Sequence, residues 1–128
     1  MVTVWTNGCF DILHRGHIEL FRFAKDSLMG ELCVGLDTDE RVTSMKGKGR
    51  PKNCLEDRME LVASIKYVDR VFSFGSDDEL RHILKTVSPE YMIVGSDYKK
   101  EDVIGSEYTR EVVLFEKIGN YSSSHYIK

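Results

Sequence analysis

No stretch of these 128 residues stays apolar for the roughly 18 positions that a spanning helix needs. Proline is scarce, with two residues, and no repeat, low-complexity tract or interdomain linker interrupts the chain. Charge of one sign is lacking as well. The 18 basic and 21 acidic residues leave a net charge of −3, which excludes any global preference for nucleic acid or an anionic membrane and makes any anion site a local one. Three cysteines, Cys9, Cys33 and Cys54, are an odd number at wide spacing. They suit neither a disulfide framework nor a zinc pair, so a reducing cytoplasm is expected. Val2-Thr3-Val4-Trp5 follows the first residue without a basic leader region, and a soluble protein is expected. With 41% apolar and 30% charged residues, the composition fits one globular domain, residues 1–128, able to bury a genuine core.

Short runs rich in β-branched residues, bounded by turn residues, recur at Val2 to Thr6, Glu31 to Leu36, Arg70 to Phe74, Tyr91 to Gly95 and Glu111 to Phe115. Between them, Ile18, Phe21, Ala24 and Leu28 follow helical spacing, as do Leu55, Met59, Val62 and Ile65, then Leu80, Ile83 and Leu84 before Pro89. Asn53 and Glu56 have the spacing of a capping pair for the second of these helices. Alternating strands and helices predict an α/β fold: a five-stranded parallel sheet covered on both faces, in three layers. Ser44 to Asn53 is the least regular stretch and reads as a loop, either at a site or merely on the surface. Ligands of such sheets bind beyond the carboxyl ends of the strands. Four segments fall there: 7–17, 37–39, 95–99 and 120–124.

The first of these is the most informative. Asn7-Gly8-Cys9-Phe10-Asp11-Ile12-Leu13-His14-Arg15-Gly16-His17 follows a strand and opens an amphipathic helix. Backbone N–H groups at a helix start form an anion cradle, and Gly8 and Gly16 allow a phosphate to approach the main chain. His14 and His17, three apart, can face the same way and donate to a phosphoryl group as charge builds on it. A helix cap and a packed imidazole is the bland alternative. A metal site is less favoured, because no third His or Cys lies at a convincing spacing. Cys9 reads as a small packed residue. Asp11 either caps the turn or anchors the loop.

This run resembles the HxGH signature of the cytidylyltransferase-like nucleotidyltransferases, with their Rossmann-like fold. Within that superfamily it is most similar to the adenylyltransferase domain that makes ADP-heptose from heptose 1-phosphate, and next to glycerol-3-phosphate cytidylyltransferase, with flavin-nucleotide adenylyltransferases third. Lys46-Gly47-Lys48-Gly49-Arg50-Pro51-Lys52-Asn53 resembles the heptose family's Lys-Gly-x-x-Arg-Pro-x-Asn, in which the lysine reaches triphosphate. Gly95-Ser96-Asp97-Tyr98-Lys99 resembles its Gly-Gly-Asp-Tyr-Lys, with serine in place of the second glycine, so that Asp97 and Tyr98 would bracket a nucleoside or sugar. Ser122-Ser123-Ser124 resembles the Ser-Thr-Thr run that closes on triphosphate, although Asn120-Tyr121 stand where the family has glycine. Arg58 resembles a cytidylyltransferase arginine suited to bidentate phosphate binding, with an ion pair to Glu56 or Asp57 as the competing role.

The resemblance implies in-line attack of a substrate phosphate oxygen on the α-phosphorus of a nucleoside triphosphate, with release of pyrophosphate and with magnesium on the triphosphate. His14, His17 and Lys46 would be catalytic. Asn7, Gly8, Cys9, Phe10, Gly16, Arg58, Gly95, Asp97, Tyr98 and Ser122 to Ser124 would bind the nucleotide. The phosphates are expected to favour a protonated, doubly donating imidazole. The resemblance also implies small-molecule partners and a homodimer. The non-enzymatic alternative is a nucleotide-binding sensor, against which the intact His14, His17 and Lys46 count.

Overall fold

The structure, a computed structural model, describes residues 2–95 and 103–115. Five strands, β1 (Thr3–Gly8), β2 (Glu31–Asp37), β3 (Arg70–Phe74), β4 (Tyr91–Gly95) and β5 (Glu111–Phe115), form one sheet in the order β3-β2-β1-β4-β5. Every pairing is parallel. The chain order reverses between β1 and β4, so the carboxyl ends of these two strands border the crevice in which open sheets of this type take ligands.

Successive residues of a strand face opposite sides, and the two cores follow that alternation. Val4, Leu32, Val34, Leu36 and Ile93 face Phe21 and Ala24 of α1 (Arg15–Asp26) and Val62 of α3 (Leu55–Ala63). Trp5, Cys33 and Met92 face Leu80 and Leu84 of α4 (Asp77–Val87) on the other side. Three layers result, as the alternation of elements predicts. Gly35 lies tight against the second core, since a Cβ there would lie 2.5 Å from the Trp5 ring.

The strands at Arg70–Phe74, Tyr91–Gly95 and Glu111–Phe115 match the expected bounds, and β1 and β2 run further. Asn7 and Gly8 belong to β1 rather than to the loop beyond it, because they continue the ladder opposite Gly35 and Leu36. A helix the sequence pattern does not predict, α2 (Asp39–Lys46), occupies the first part of the irregular stretch. Only Val42 of α2 is buried, so it carries no apolar stripe; the Thr38 hydroxyl, accepting from the Arg41 N–H, caps it instead. The expected Asn53–Glu56 capping pair does not form. Cys54 is the N-cap of α3 and contributes no side-chain bond, while the Asn53 side chain is engaged by Asp11.

Candidate active site

The turn after β1 is unusually constrained. Phe10 takes a positive φ of 50°, an uncommon conformation for a bulky residue, and its buried ring meets His17 edge to face at 5.1 Å. His14 is the N-cap of α1: its Nδ1 accepts from the Gly16 N–H at 3.1 Å. The His14 N–H in turn donates to His17 Nδ1 at 3.2 Å, closing a reciprocal capping box made of two imidazoles. The rings stack with centroids 3.8 Å apart.

In this arrangement both Nδ1 atoms are engaged by the helix start. With each Nδ1 placed to accept a backbone N–H, Nε2 is the ring atom left to donate to a phosphoryl group. Charging either ring would break its bond to the helix start. The Gly16 amide is likewise used by His14, so Gly16 serves the cap through its N–H rather than offering that group to a phosphate.

Asp11 resolves the choice left open by the sequence. Fully buried, it anchors a second loop: its carboxylate accepts from the Lys52 N–H at 2.9 and 2.8 Å, the Asn53 N–H at 2.8 Å and Arg50 Nε at 2.9 Å, while its carbonyl accepts from Asn53 Nδ2 at 2.6 Å. Burial alone would raise the Asp11 carboxyl, but the two amides and the Arg50 guanidinium outweigh it and hold it below the usual carboxylate range.

Arg58 is placed differently from the expectation. It is fully buried and spends its guanidinium on protein oxygens: Nε to the Asn53 carbonyl, one terminal nitrogen to the Cys9 and Asp37 carbonyls, the other to Asp39 Oδ1 at 2.6 Å. Neither the expected phosphate contact nor an ion pair with Glu56 or Asp57 describes it. Arg58 instead ties the ends of β1 and β2 to the starts of α2 and α3.

Lys46, the last residue of α2, is exposed and makes no hydrogen bond or ion pair among the described residues. It lies near enough to the ends of β1 and β2 for its charge to act on both Cys9 and Asp37. Burial pushes the Cys9 thiol up, against the charges of Lys46 and Arg58. Burial also raises the Asp37 carboxyl, against the Arg41 guanidinium bonded to it at 2.8 Å and the charges of Arg58 and Lys46. Gly8 and Gly95 stand at the ends of β1 and β4, and Asn7 is exposed at the rim, where its Oδ1 accepts from the indole of Trp5 at 2.8 Å. Asp97, Tyr98 and Ser122 to Ser124 lie outside the described residues.

The histidine turn, the Lys46 helix and the crossover end of the sheet thus converge on one edge. A sequence profile described as cytidylyltransferase-like matches residues 5–128. The chain belongs to that family. The bifunctional protein HldE of Helicobacter hepaticus is 42% identical over 126 residues, which are 98% of this chain and 26% of the relative. That of Campylobacter fetus subsp. fetus is 41% identical over 124 residues, or 97% and 27%. The chain therefore spans about a quarter of the length of these curated relatives. The crystal structure of the lipopolysaccharide core biosynthesis protein from Thermoplasma volcanium superposes with a TM-score of 0.74 at 27% identity, covering 93% of this chain and 99% of that one. As a cytidylyltransferase-like protein the chain is a nucleotidyltransferase, and its fold is the one the motif implied.

Arg50 and Asn53 are the site residues whose work the spacing did not reveal. Their only signal was the Arg-Pro-x-Asn run, a resemblance that gives no hint that its partner is a carboxylate some forty positions earlier.

Proposed function

We propose that this cytidylyltransferase-like chain transfers the adenylyl group of ATP to the phosphate of a heptose 1-phosphate. The observation that carries the reading is the stacked histidine pair at the end of β1, beside the switch in strand order, with the Lys46 helix alongside. Adenylyl and heptose are favoured by Asn7-Gly8-Cys9, Arg50-Pro51-Lys52-Asn53 and Asp97-Tyr98-Lys99, and the similarity to HldE proteins supports the choice. A fold neighbour from lipopolysaccharide core biosynthesis agrees with a sugar phosphate as acceptor.

An acceptor phosphate oxygen attacks the α-phosphorus in line, the bond from that phosphorus to the bridging oxygen breaks, and the electron pair leaves with pyrophosphate. No covalent enzyme intermediate forms. The Nε2–H groups of His14 and His17 donate to phosphoryl oxygens as their charge grows, and the Lys46 ammonium holds the triphosphate. Among the described residues no three His, Cys, Asp or Glu side chains gather as a metal cage. Magnesium is proposed as part of the nucleotide substrate, on which it offsets charge on the triphosphate oxygens. We further propose a cytoplasmic homodimer acting on small molecules, not on nucleic acid or membrane. Cys9, Cys33 and Cys54 are all free thiols, and no helix of the described residues is long and apolar enough to cross a bilayer.

Pyrophosphate release with magnesium, measured across ATP, CTP, GTP and UTP against heptose 1-phosphate, glycerol 3-phosphate and FMN, tests the reading. Release with ATP and heptose 1-phosphate is expected. Release with CTP and glycerol 3-phosphate would replace the substrates, and silence throughout would remove the catalytic proposal.

A further inference from the structure

The geometry points to Asp11 as the positioning residue that sets the distance between the histidine pair and Lys46, and hence the fit of a triphosphate between them. The inference rests on the nucleotidyl-transfer reading above. Asp11 stands three residues before the His14 cap, within the turn that Phe10 holds at positive φ. Its buried carboxylate reaches across to Arg50, Lys52 and Asn53, bonds that its charge strengthens. One side chain therefore joins the two segments that carry the catalytic groups.

The Lys46 end depends on this clamp because it has little packing of its own. From Thr43 to Gly49 every residue is exposed. Gly47 and Gly49 take φ of 94° and 86° and reverse the chain, and a Cβ built at Gly47 would meet nothing within 4 Å. The reversal is closed by the Arg50 N–H on the Gly47 carbonyl at 3.3 Å and by the Thr43 hydroxyl on the Arg50 carbonyl at 2.6 Å. Lys46 is thus held between the Thr38 cap and Arg50, and Arg50 is itself held by Asp11. Among the described residues, the hydrogen bonds tying 47–53 to the rest of the protein run to Asp11, Thr43 and Arg58 alone. Arg58 grips only the far end, at the Asn53 carbonyl. Loss of the carboxylate should therefore move Lys46 relative to the histidines and leave the histidine cap itself in place.

A double-mutant cycle isolates this coupling from a general loss of structure. Asp11→Asn should lower kcat/KM for the nucleotide by about tenfold in the wild-type background, and by less than about twofold where Lys46→Ala has already removed the group being positioned. Equal losses in both backgrounds would overturn the inference. A second readout needs no activity: trypsin cleavage after Lys46 and Lys48 should quicken severalfold in Asp11→Asn and in Arg50→Gln, relative to cleavage elsewhere in the chain. Unchanged loop cleavage in Arg50→Gln would overturn it even if Asp11→Asn fails to fold. Should the wild type release no pyrophosphate with any substrate pair, the functional reading falls, and the proteolysis alone decides whether Asp11 holds the Lys46 loop.

Discussion

His17 closes the turn that His14 opens. The His14 amide donates to His17 Nδ1 at 3.2 Å while the two rings stack at 3.8 Å, so the residues expected to act on phosphate also build the helix start that presents them. Each ring is turned by its own backbone bond, and the helix that follows fixes both in direction. This is preorganisation of hydrogen-bond donors, which gives electrostatic stabilisation its value in transfer reactions.

Replacing His17 by alanine should therefore have two separable effects. Turnover should fall by about 10²–10³, the range for losing one preorganised donor to a developing oxyanion. Stability should fall by about 1 kcal/mol for the lost capping bond. Steady-state kinetics and urea unfolding on the same preparation read the two independently. Normal turnover in a variant that has lost only the capping increment would show that His17 is a structural cap and nothing more.

The depressed carboxyl of Asp11 gives the protein an acid-sensitive joint. A carboxylate whose folded value lies below its unfolded value of 3.8 adds stability that is fully present above that value and is lost as pH falls through the folded one. Asp69, bonded by Lys25 and the Leu32 amide, is lowered too and shares the direction. The Asp11 part is therefore read by difference. The gap in unfolding midpoint between wild type and Asp11→Asn should be constant from pH 7 to about pH 5 and should shrink below about pH 4. A gap that holds down to pH 3 would mean that ionised Asp11 is not its source.

Strand and helix placement was legible wherever burial imposes a period. Leu80 to Leu84 declares itself because one face must leave water, and Tyr91 to Gly95 because both faces do. The Asp39–Lys46 helix did not, since its residues meet solvent on nearly every side and only the Thr38 cap marks its start. The His14–His17 pairing was legible as a motif, because its spacing is local. Arg58 and Asp11 were misread or left open for the opposite reason. Arg58 sits one turn into a helix and reads as a phosphate ligand or a partner of Glu56 or Asp57, yet its partners at Cys9, Asp37 and Asp39 are 49, 21 and 19 residues away. Long-range partners of buried polar groups follow from the sheet order, which periodicity does not supply.

Arg58 should accordingly behave as a structural residue. Arg58→Met removes the donors of three carbonyls, at Cys9, Asp37 and Asn53, and leaves Asp39 without its ion pair. Buried acceptors left unmade cost about 1–3 kcal/mol each, so a loss on the order of 3 kcal/mol in urea unfolding is expected. Arg58→Lys, which has no planar fork to span those directions, should recover little of it. A variant of wild-type stability with a selectively raised KM for nucleotide would instead return Arg58 to the role of a phosphate ligand.

The single tryptophan provides a probe of the same edge. Trp5 is fully buried, yet its indole N–H reaches the exposed rim residue Asn7 at 2.8 Å. A nucleotide that engages Asn7 must alter that bond and with it the environment of the ring. Titration of the wild type with ATP and magnesium should therefore shift or quench tryptophan emission, and His17→Ala, which spares Asn7, should keep the change. Asn7→Ala should lose it. That variant should also be destabilised by about 1–3 kcal/mol, because the indole donor is left buried without its acceptor. An emission unaltered at saturating ATP, under conditions in which pyrophosphate is released, would place the nucleotide away from Asn7 and shift the base-binding role to the segment after β4.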